Sequence, residues 1–211
     1  MSSLPNPRYT PGQYLEMDRN ADRRSEYVNG EILSMAGASR EHTLIVTNLV
    51  REVSGRLRRR PYETYSNDMR VKISPSRYTY PDLTVVCGTP GFADKNFDVL
   101  LNPSVIMEVL SPTTEKDDRS WKFAHYRRLA TLKDYVMLSQ YRPVLEHYTR
   151  QADDQWVLTE IRELEGVLRL PSIGCDLPLS EIYERVEFAP DLELVNLEPV
   201  ENGAARREET P

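Results

Sequence analysis

The sequence predicts an α/β protein, because helical and strand patterns alternate along most of its 211 residues. After Ser39, apolar residues recur at three- and four-residue steps, which is typical of a helix with one core-facing stripe. Short apolar and β-branched runs, such as residues 83–86 and 105–110, are typical of buried strands. A chain of this length can bury a sizeable core within one domain.

The N-terminal part of the chain predicts a short helix and a hairpin. Thr10 occupies the N-cap position of the helix, and Gln13 occupies the capping-box position three residues later. Asn29-Gly30 separates strand patterns at 25–28 and 31–35, and both residues tolerate the positive φ angles of a type I′ turn. A second, longer helix is predicted from Ser39 to about residue 59.

The rest of the chain predicts further strands and two helices. Strands are predicted at 62–65 and 69–73, from Asp82 onward, around Glu108, and at 134–139, with a helix over about 116–130. Strand patterns at 144–149, 156–161 and 167–170 predict a β-rich C-terminal extension, followed by a short helix at 180–186. We expect residues 1–188 to form a single domain and the acidic segment 189–211 to be a disordered tail.

The charge distribution neither requires nor excludes a nucleic-acid partner. The formal net charge of −6 comes from residues 181–211, which hold nine acidic and three basic residues, so residues 1–180 are neutral. Within that part, residues 51–72 hold seven basic residues against three acidic ones, and this excess could meet phosphates. It could equally be a solvated helix end.

The sequence predicts a cytoplasmic protein without a membrane span. No run approaches eighteen apolar residues, and residues 1–8 lack the apolar segment of a signal peptide. Cys87 and Cys175 have no metal-type spacing, and they fit reduced thiols.

Two acidic residues stand within apolar strand patterns and need a chemical explanation. Asp82 is followed by four apolar or β-branched residues, and Glu108 has two apolar neighbours on each side. Acidic residues are almost never buried unless they are paired or bind a metal. A hard divalent ion such as Mg²⁺ takes one or two such carboxylates, and Lys122 could supply a fixed positive charge from the following helix. The three histidines are widely spaced, which argues against zinc.

The order of these motifs resembles the PD-(D/E)xK nuclease superfamily and, more closely, its Uma-type restriction endonuclease branch. Pro81-Asp82 precedes Glu108-Val109-Leu110 by the spacing that this superfamily shows. The wider pattern extends over residues 9–186 and includes Tyr9-Thr10, Tyr14-Leu15, Glu26-Tyr27-Val28-Asn29-Gly30-Glu31, His42, Ser111-Pro112-Thr113-Thr114, Asp118-Arg119, Lys122, Tyr126 and Asp134-Tyr135.

The resemblance implies a restriction-endonuclease-like mixed sheet flanked by helices, and a metal-dependent phosphodiesterase site. It implies catalytic roles for Asp82, Glu108 and Lys122, with Asp82, Glu108 and Glu31 as ligands of Mg²⁺ or Mn²⁺. Leu110 stands where the superfamily has a lysine, and Lys122 takes over that position from the next helix. Three of these residues also have a simpler explanation: a turn residue for Asp82, a solvated lysine for Lys122, and an exposed cross-strand partner for Glu31. Glu108 is hard to explain by structure alone.

Four further residues are candidates for substrate binding: His42, Arg119, Arg58 and Arg59. His42 could instead serve as a cap or a packing contact, and Arg119 could pair with nearby acidic residues.

The leading functional hypothesis is a cytoplasmic, Mg²⁺- or Mn²⁺-dependent DNA endonuclease that acts as a homodimer. The alternative is a nuclease-like module that binds nucleic acid or a protein partner without cutting. A phosphatase or nucleotide hydrolase for small substrates is a third hypothesis.

Overall fold

The computed structural model describes residues 7–188, and the predicted tail, 189–211, lies outside the described residues. The helical segments are α1 (Pro11–Arg19), α2 (Arg40–Leu57), α3 (Glu115–Asp117), a π-helical turn (Asp118–Lys122), α4 (Phe123–Tyr126) and α5 (Leu179–Ile182). The strands are β1 (Ser25–Val28), β2 (Glu31–Ser34), β3 (Tyr62–Ser66), β4 (Arg70–Ser74), β5 (Arg77–Thr79), β6 (Leu83–Cys87), β7 (Val99–Leu100), β8 (Val105–Leu110), β9 (Asp134–Ser139), β10 (Leu145–Arg150), β11 (Trp156–Ile161), β12 (Val167–Leu170) and β13 (Cys175–Pro178).

A mixed sheet of six strands, in the order β11-β10-β9-β8-β6-β3, forms the centre of the fold. Its strands pair antiparallel except for β8 and β9, which are parallel. Because parallel neighbours require a crossover, the chain leaves β8, passes over one face of the sheet, and returns to start β9. The helical segments at 115–126 lie within that crossover.

Each face of the central sheet has its own hydrophobic core. On one face, the predicted apolar stripe of α2 packs against β6, β8 and β9 together with β12, β13 and α5, and its buried members are Ile45, Leu49, Val53 and Leu57. On the other face, residues of β8 and β9 pack against the crossover and against β4 and β7 of a second sheet. That five-stranded sheet has the order β2-β1-β5-β4-β7. The central sheet is therefore covered on both sides, as its continuous apolar runs require.

Local sequence signals at the N-terminus are confirmed. The Thr10 hydroxyl accepts a hydrogen bond from the Gln13 N–H, and the Gln13 side chain accepts one from the Thr10 N–H, which completes the capping box. Asn29 and Gly30 have φ angles of 51° and 98°, as a type I′ turn between β1 and β2 requires.

The prediction of one regular helix over 116–130 is wrong: the helical segment is irregular, and it ends earlier than predicted. The segment contains α3, a five-residue π turn and α4, and it ends at Tyr126. Arg128 and Leu129 then form the tighter bonds of a turn, to the carbonyls of His125 and Tyr126. A π turn adds a residue to the helix, and such turns are frequent at functional sites.

A buried ion pair joins α1 to the second sheet. Arg70 on β4 and Asp18 on α1 are 2% and 1% exposed, and the guanidinium group donates to the Asp18 carboxylate. The N–H and the hydroxyl of Ser25 donate to the same carboxylate, each at 2.8 Å, and Tyr80 adds its hydroxyl. Tyr80 directly precedes Pro81-Asp82, so this cluster fixes the segment that leads into β6.

Within the described part of the chain, no helix is both long enough and apolar enough to cross a membrane.

Candidate active site

The register of two central strands brings Asp82 and Glu108 together. Strands β6 and β8 pair Leu83 with Met107, which places Asp82, one residue before β6, opposite Glu108. The N–H of Asp82 donates to Glu108 Oε2 at 3.4 Å, and the N–H of Val109 donates to Asp82 Oδ2 at 2.7 Å. The two predicted carboxylates therefore share one face at the end of a strand pair.

Glu108 is buried beneath the crossover. It is 4% exposed, and its Oε1 accepts a hydrogen bond from the Tyr126 hydroxyl at 3.1 Å. The hydroxyl of Thr79 lies 2.9 Å from the same Tyr126 oxygen. Burial raises the pKa of Glu108 well above its usual value, and the positive charge of Lys122 opposes this shift.

Lys122 extends from the π turn into a group of three carboxylates. Its Nζ lies 3.0 Å from Glu26 Oε1, 3.0 Å from Asp118 Oδ1 and 3.6 Å from Glu108 Oε1. Burial lowers the pKa of this amine, but the charges of Glu108, Glu26 and Asp118 outweigh burial and hold the pKa well above its usual value. Lys122 is therefore a fixed positive charge beside Glu108, and it approaches from a helix and not from the strand.

The N-terminus of α2 places His42 beside Asp82. The Ser39 hydroxyl caps this helix by accepting a hydrogen bond from the His42 N–H at 3.1 Å. The Nε2 of His42 lies 3.3 Å from Asp82 Oδ2. Burial lowers the pKa of His42, but the hydrogen bond to Asp82 and the charge of that carboxylate reverse this effect and raise it.

These side chains lie in a cavity of about 710 Å³. Its polar part contains Glu26, His42, Asp82, Glu108 and Lys122, and its apolar wall includes Leu33, the segment 35–38, Tyr141 and Phe188. Three further acidic residues, Glu41, Asp117 and Glu187, line the same cavity, so carboxylates outnumber cations among its described lining residues. This excess of negative charge favours a bound cation.

The donor set fits a hard divalent ion. Within residues 7–188, no group of three or more His, Cys, Asp or Glu side chains is arranged as a complete set of metal ligands. Mg²⁺ does not need one, because it commonly takes one or two carboxylates and completes its shell with water and substrate phosphate. Asp82 and Glu108 provide two carboxylates at the cavity.

The structure does not bring Glu31 into this site. Glu31 pairs with Val28, whereas Glu26 pairs with Leu33, so both acidic residues share a face of the hairpin. Glu31 lies two residues closer to the turn, where it is exposed and outside the cavity lining. The resemblance implies Glu31 as an additional metal ligand, but Glu26 is the acidic residue of this hairpin that lines the cavity.

The predicted arginines also lie outside the cavity lining. Arg58 and Arg59 follow the C-terminus of α2, and 16 residues of helix at about 1.5 Å each place them roughly 24 Å from His42. Arg119 is exposed and pairs with Glu115 at 2.8 Å and with Glu146 at 2.5 Å. Of the four predicted substrate-binding residues, only His42 lines the cavity.

Three residues of the site were not among the predicted site residues: Glu26, Asp118 and Tyr126. All three belong to the family pattern, and Asp118 also precedes Lys122 by four residues, a spacing that places two helical residues on one face. Tyr126 gives no comparable signal, because an aromatic residue in a helix usually indicates core packing.

Comparisons with known proteins agree with the predicted family and fold. The model of the Uma2 family, described as "Putative restriction endonuclease", matches residues 11–180. Two similar proteins come from Synechocystis sp. The "Uncharacterized protein sll1609" is 38% identical over 72% of this chain and 86% of its own length. The "Uncharacterized protein slr1290" is 29% identical over 88% of this chain and 97% of its own length.

A crystal structure of "a putative nuclease belonging to DUF820" from Anabaena variabilis superposes with a TM-score of 0.69. It covers 83% of this chain and 97% of that protein at 16% identity. This likeness confirms the predicted fold class, and the family match covers most of the chain. The chain therefore belongs to the Uma2 family, described as "Putative restriction endonuclease".

Proposed function

We propose that this protein is a metal-dependent phosphodiesterase that cuts DNA as an endonuclease, with Mg²⁺ or Mn²⁺ as its ion. One observation carries the proposal: Asp82 and Glu108 face one another at a cavity in which the Lys122 Nζ lies 3.6 Å from Glu108. The two carboxylates can coordinate a metal ion, and the fixed cation can contact a phosphate ester. Family membership supports the same activity. A cytoplasmic location stays a prediction from the sequence.

In this proposal Asp82 and Glu108 hold the ion, and each further residue has a defined role. A bound ion would polarise a phosphoryl oxygen and lower the pKa of a bound water molecule. Lys122 balances the negative charge that develops on the phosphoryl group, and it is held for this by Glu26 and Asp118. His42 orients the Asp82 carboxylate through its Nε2. The Tyr126 hydroxyl fixes the rotamer of Glu108.

The proposal is tested by calorimetric Mn²⁺ titration together with a plasmid-nicking assay. We expect Asp82→Ala and Glu108→Ala each to abolish both metal binding and nicking. Nicking that survives in Asp82→Ala contradicts the proposal.

Glu31→Ala and Glu26→Ala form a matched pair for the third acidic position. Both remove a carboxylate from the same face of one hairpin, but only Glu26 lines the cavity. We expect Glu26→Ala to impair nicking and Glu31→Ala to leave it unchanged. The reverse result would restore the ligand role that the resemblance implies for Glu31.

A binding module without cleavage is the second candidate function. It is favoured by the position of Lys122, because its ammonium group already neutralises part of the carboxylate cluster. Mn²⁺ binding by the wild type with no nicking of any DNA form would support this candidate over the endonuclease.

We also propose that the protein acts as a homodimer, paired through the edge strand β11. This strand ends the central sheet, and Val157 and Leu158 are 49% and 47% exposed. Exposed edge strands readily pair with another copy. Sedimentation velocity should give a dimer mass for the wild type and a monomer mass for Leu158→Lys. A monomeric wild type contradicts this part of the proposal.

A further inference from the structure

Tyr141 stands between two cavities with different chemistry. It follows β9 in the turn that leads to β10, and its side chain lines both the active-site cavity and a second cavity of about 390 Å³. Tyr141 is 54% exposed. The Gln140 side chain donates to its hydroxyl at 3.4 Å, and Gln140 is itself buried and bonded to the Leu110 carbonyl at 3.0 Å. The Tyr141 ring is therefore exposed, on a turn that the buried Gln140 side chain holds in place.

The active-site cavity has an apolar wall that the phosphodiester chemistry does not need. Leu33 and Met35 are 36% and 38% exposed, and they line this cavity together with Tyr141. Apolar side chains that are exposed together in a cavity are typical of a surface that a ligand covers. Phosphates gain nothing from an apolar wall, whereas the faces of unpaired bases do, because they stack on aromatic and apolar side chains. In a duplex the faces of the bases are stacked on one another, so they are not available to this wall.

The second cavity is richer in cationic side chains than the active-site cavity, whose described lining includes Lys122 but no arginine. Arginines and glutamates line it in equal number: Arg119, Arg142, Arg162, Glu115, Glu146 and Glu160. Arg119 and Arg162 form ion pairs, whereas Arg142 has no ion pair with the residues that the structure describes. A guanidinium group has five N–H donors, so an ion pair leaves donors for a phosphate.

From this arrangement we propose that the protein binds an unpaired nucleic-acid strand across Tyr141. One base stacks on the Tyr141 ring against the apolar wall of the active-site cavity. The phosphate of the neighbouring nucleotide enters the second cavity, where Arg142 and Arg119 receive it. The inference rests on the proposed function for the class of substrate, a nucleic acid, but it does not depend on metal binding or on cleavage. It gives Arg119 a substrate contact outside the active-site cavity.

The test is fluorescence anisotropy of labelled oligonucleotides in EDTA, so that cleavage plays no part. Three probes separate the interactions: a thymidine 12-mer, a strand with the same phosphates but abasic sites, and a hairpin duplex. We expect the thymidine strand to bind at least tenfold more tightly than either of the others. Tyr141→Ala should weaken its binding about tenfold, and Tyr141→Trp should preserve it, because base stacking tolerates any large aromatic ring.

Two variants check the specificity of the effect. Phe97→Ala removes an aromatic side chain that is 65% exposed but lines neither cavity, and it should bind all probes as the wild type does. Arg142→Gln should reduce the slope of log affinity against log salt concentration by about 0.7, the value for one phosphate contact on a single strand. Thermal unfolding of each variant confirms that the fold is retained.

The inference is overturned if the duplex binds as tightly as the thymidine strand, or if Tyr141→Ala and Phe97→Ala behave alike. Its failure differs from that of the proposed function. A protein that nicks duplex plasmid but shows no effect of Tyr141→Ala keeps the endonuclease and loses this site. A protein that binds the thymidine strand through Tyr141 but never nicks DNA keeps this site and loses the endonuclease.

Discussion

The ammonium nitrogen of Lys122 lies 3.0 Å from Glu26 Oε1, although the two residues are 96 positions apart in the chain. Their side chains are 5% and 13% exposed, so water screens this ion pair little. The contact ties the N-terminal hairpin to the crossover between β8 and β9. Glu26 thus acts on the site through the position of Lys122.

Replacing Glu26 by Gln should loosen Lys122 without removing it. We expect nicking to fall roughly tenfold and the free energy of unfolding to fall by about 1–3 kcal/mol, because the contact with Lys122 loses its negative charge. Plasmid nicking and urea unfolding measure the two effects. Glu41→Gln is the control, since Glu41 lines the same cavity but its ion pair within residues 7–188 is with exposed Arg40. Equal losses in both variants would remove the special role of Glu26.

Replacing Tyr126 by Phe should leave Glu108 and Thr79 without a shared partner. Tyr126 is 0% exposed, so no water replaces its hydroxyl, and the free energy of unfolding should fall by about 1–2 kcal/mol. Urea unfolding at pH 7 measures this loss. Tyr141→Phe, which removes a hydroxyl from an exposed ring, should change stability by less than about 0.5 kcal/mol. If Tyr126→Phe left the free energy of unfolding unchanged, Glu108 would have found another hydrogen-bond donor.

The buried Asp18 should make stability depend on acidity. Burial raises the pKa of Asp18, but hydrogen bonds from Tyr80, Arg70 and Ser25 outweigh burial and lower it below its ordinary value of 3.8. A lowered pKa contributes stability that is fully present above the ordinary value and is lost as pH falls through the folded-state pKa. The wild type should therefore lose stability steeply below about pH 4.

Asp18→Asn should remove that part of the pH dependence. At pH 7 it should cost about 3 kcal/mol, because buried Arg70 loses its closer carboxylate and keeps that of Asp98 at 3.2 Å. The difference from the wild type should shrink toward pH 3, as followed by urea unfolding. Asp68→Asn is the matched control, because the Asp68 side chain is 81% exposed. It should change neither the stability at pH 7 nor its pH dependence. A constant difference across this pH range would contradict the assignment.

Ser39 joins the cap of α2 to the wall of the cavity. Its hydroxyl accepts from the His42 N–H, and it also donates to the Gln140 side chain at 2.5 Å. Ser39→Ala should cost about 1–2 kcal/mol and lower nicking, since His42 loses its fixed position beside Asp82. Thr10→Ala removes the comparable cap of α1, away from the cavity, and should affect stability alone. Unchanged nicking in Ser39→Ala would separate the cap from the site.

Local elements could be predicted from the sequence because their signals are local. The capping box at Thr10 and the hairpin turn at Asn29-Gly30 depend on neighbouring residues, and both are confirmed. The strands β5 and β7 have only three and two residues, too few to show a period. Long-range pairing stabilises both strands: β5 pairs with β1, and β7 pairs with β4.

The candidate site could be predicted only in part, because its geometry is tertiary. The sequence indicates Asp82 and Glu108 through their apolar surroundings, and the register of β6 and β8 joins them. Alternation within a strand cannot distinguish Glu26 from Glu31, since both point to one face of the hairpin. The predicted length of α2 already separates Arg58 and Arg59 from His42, but which end of that helix faces the cavity depends on tertiary packing.

The parallel pairing of β8 and β9 has a consequence for folding. These strands cannot meet until the crossover at 111–133 has formed, and non-local pairing of this kind slows folding. Lys122 lies on that crossover, Glu26 lies on the first hairpin, and the carboxylates of Asp82 and Glu108 lie between them in the chain. A chain that is still emerging from the ribosome therefore lacks the complete site. Under the proposed function, activity would begin only once the hairpin, the central strands and the crossover that carry these four residues have assembled.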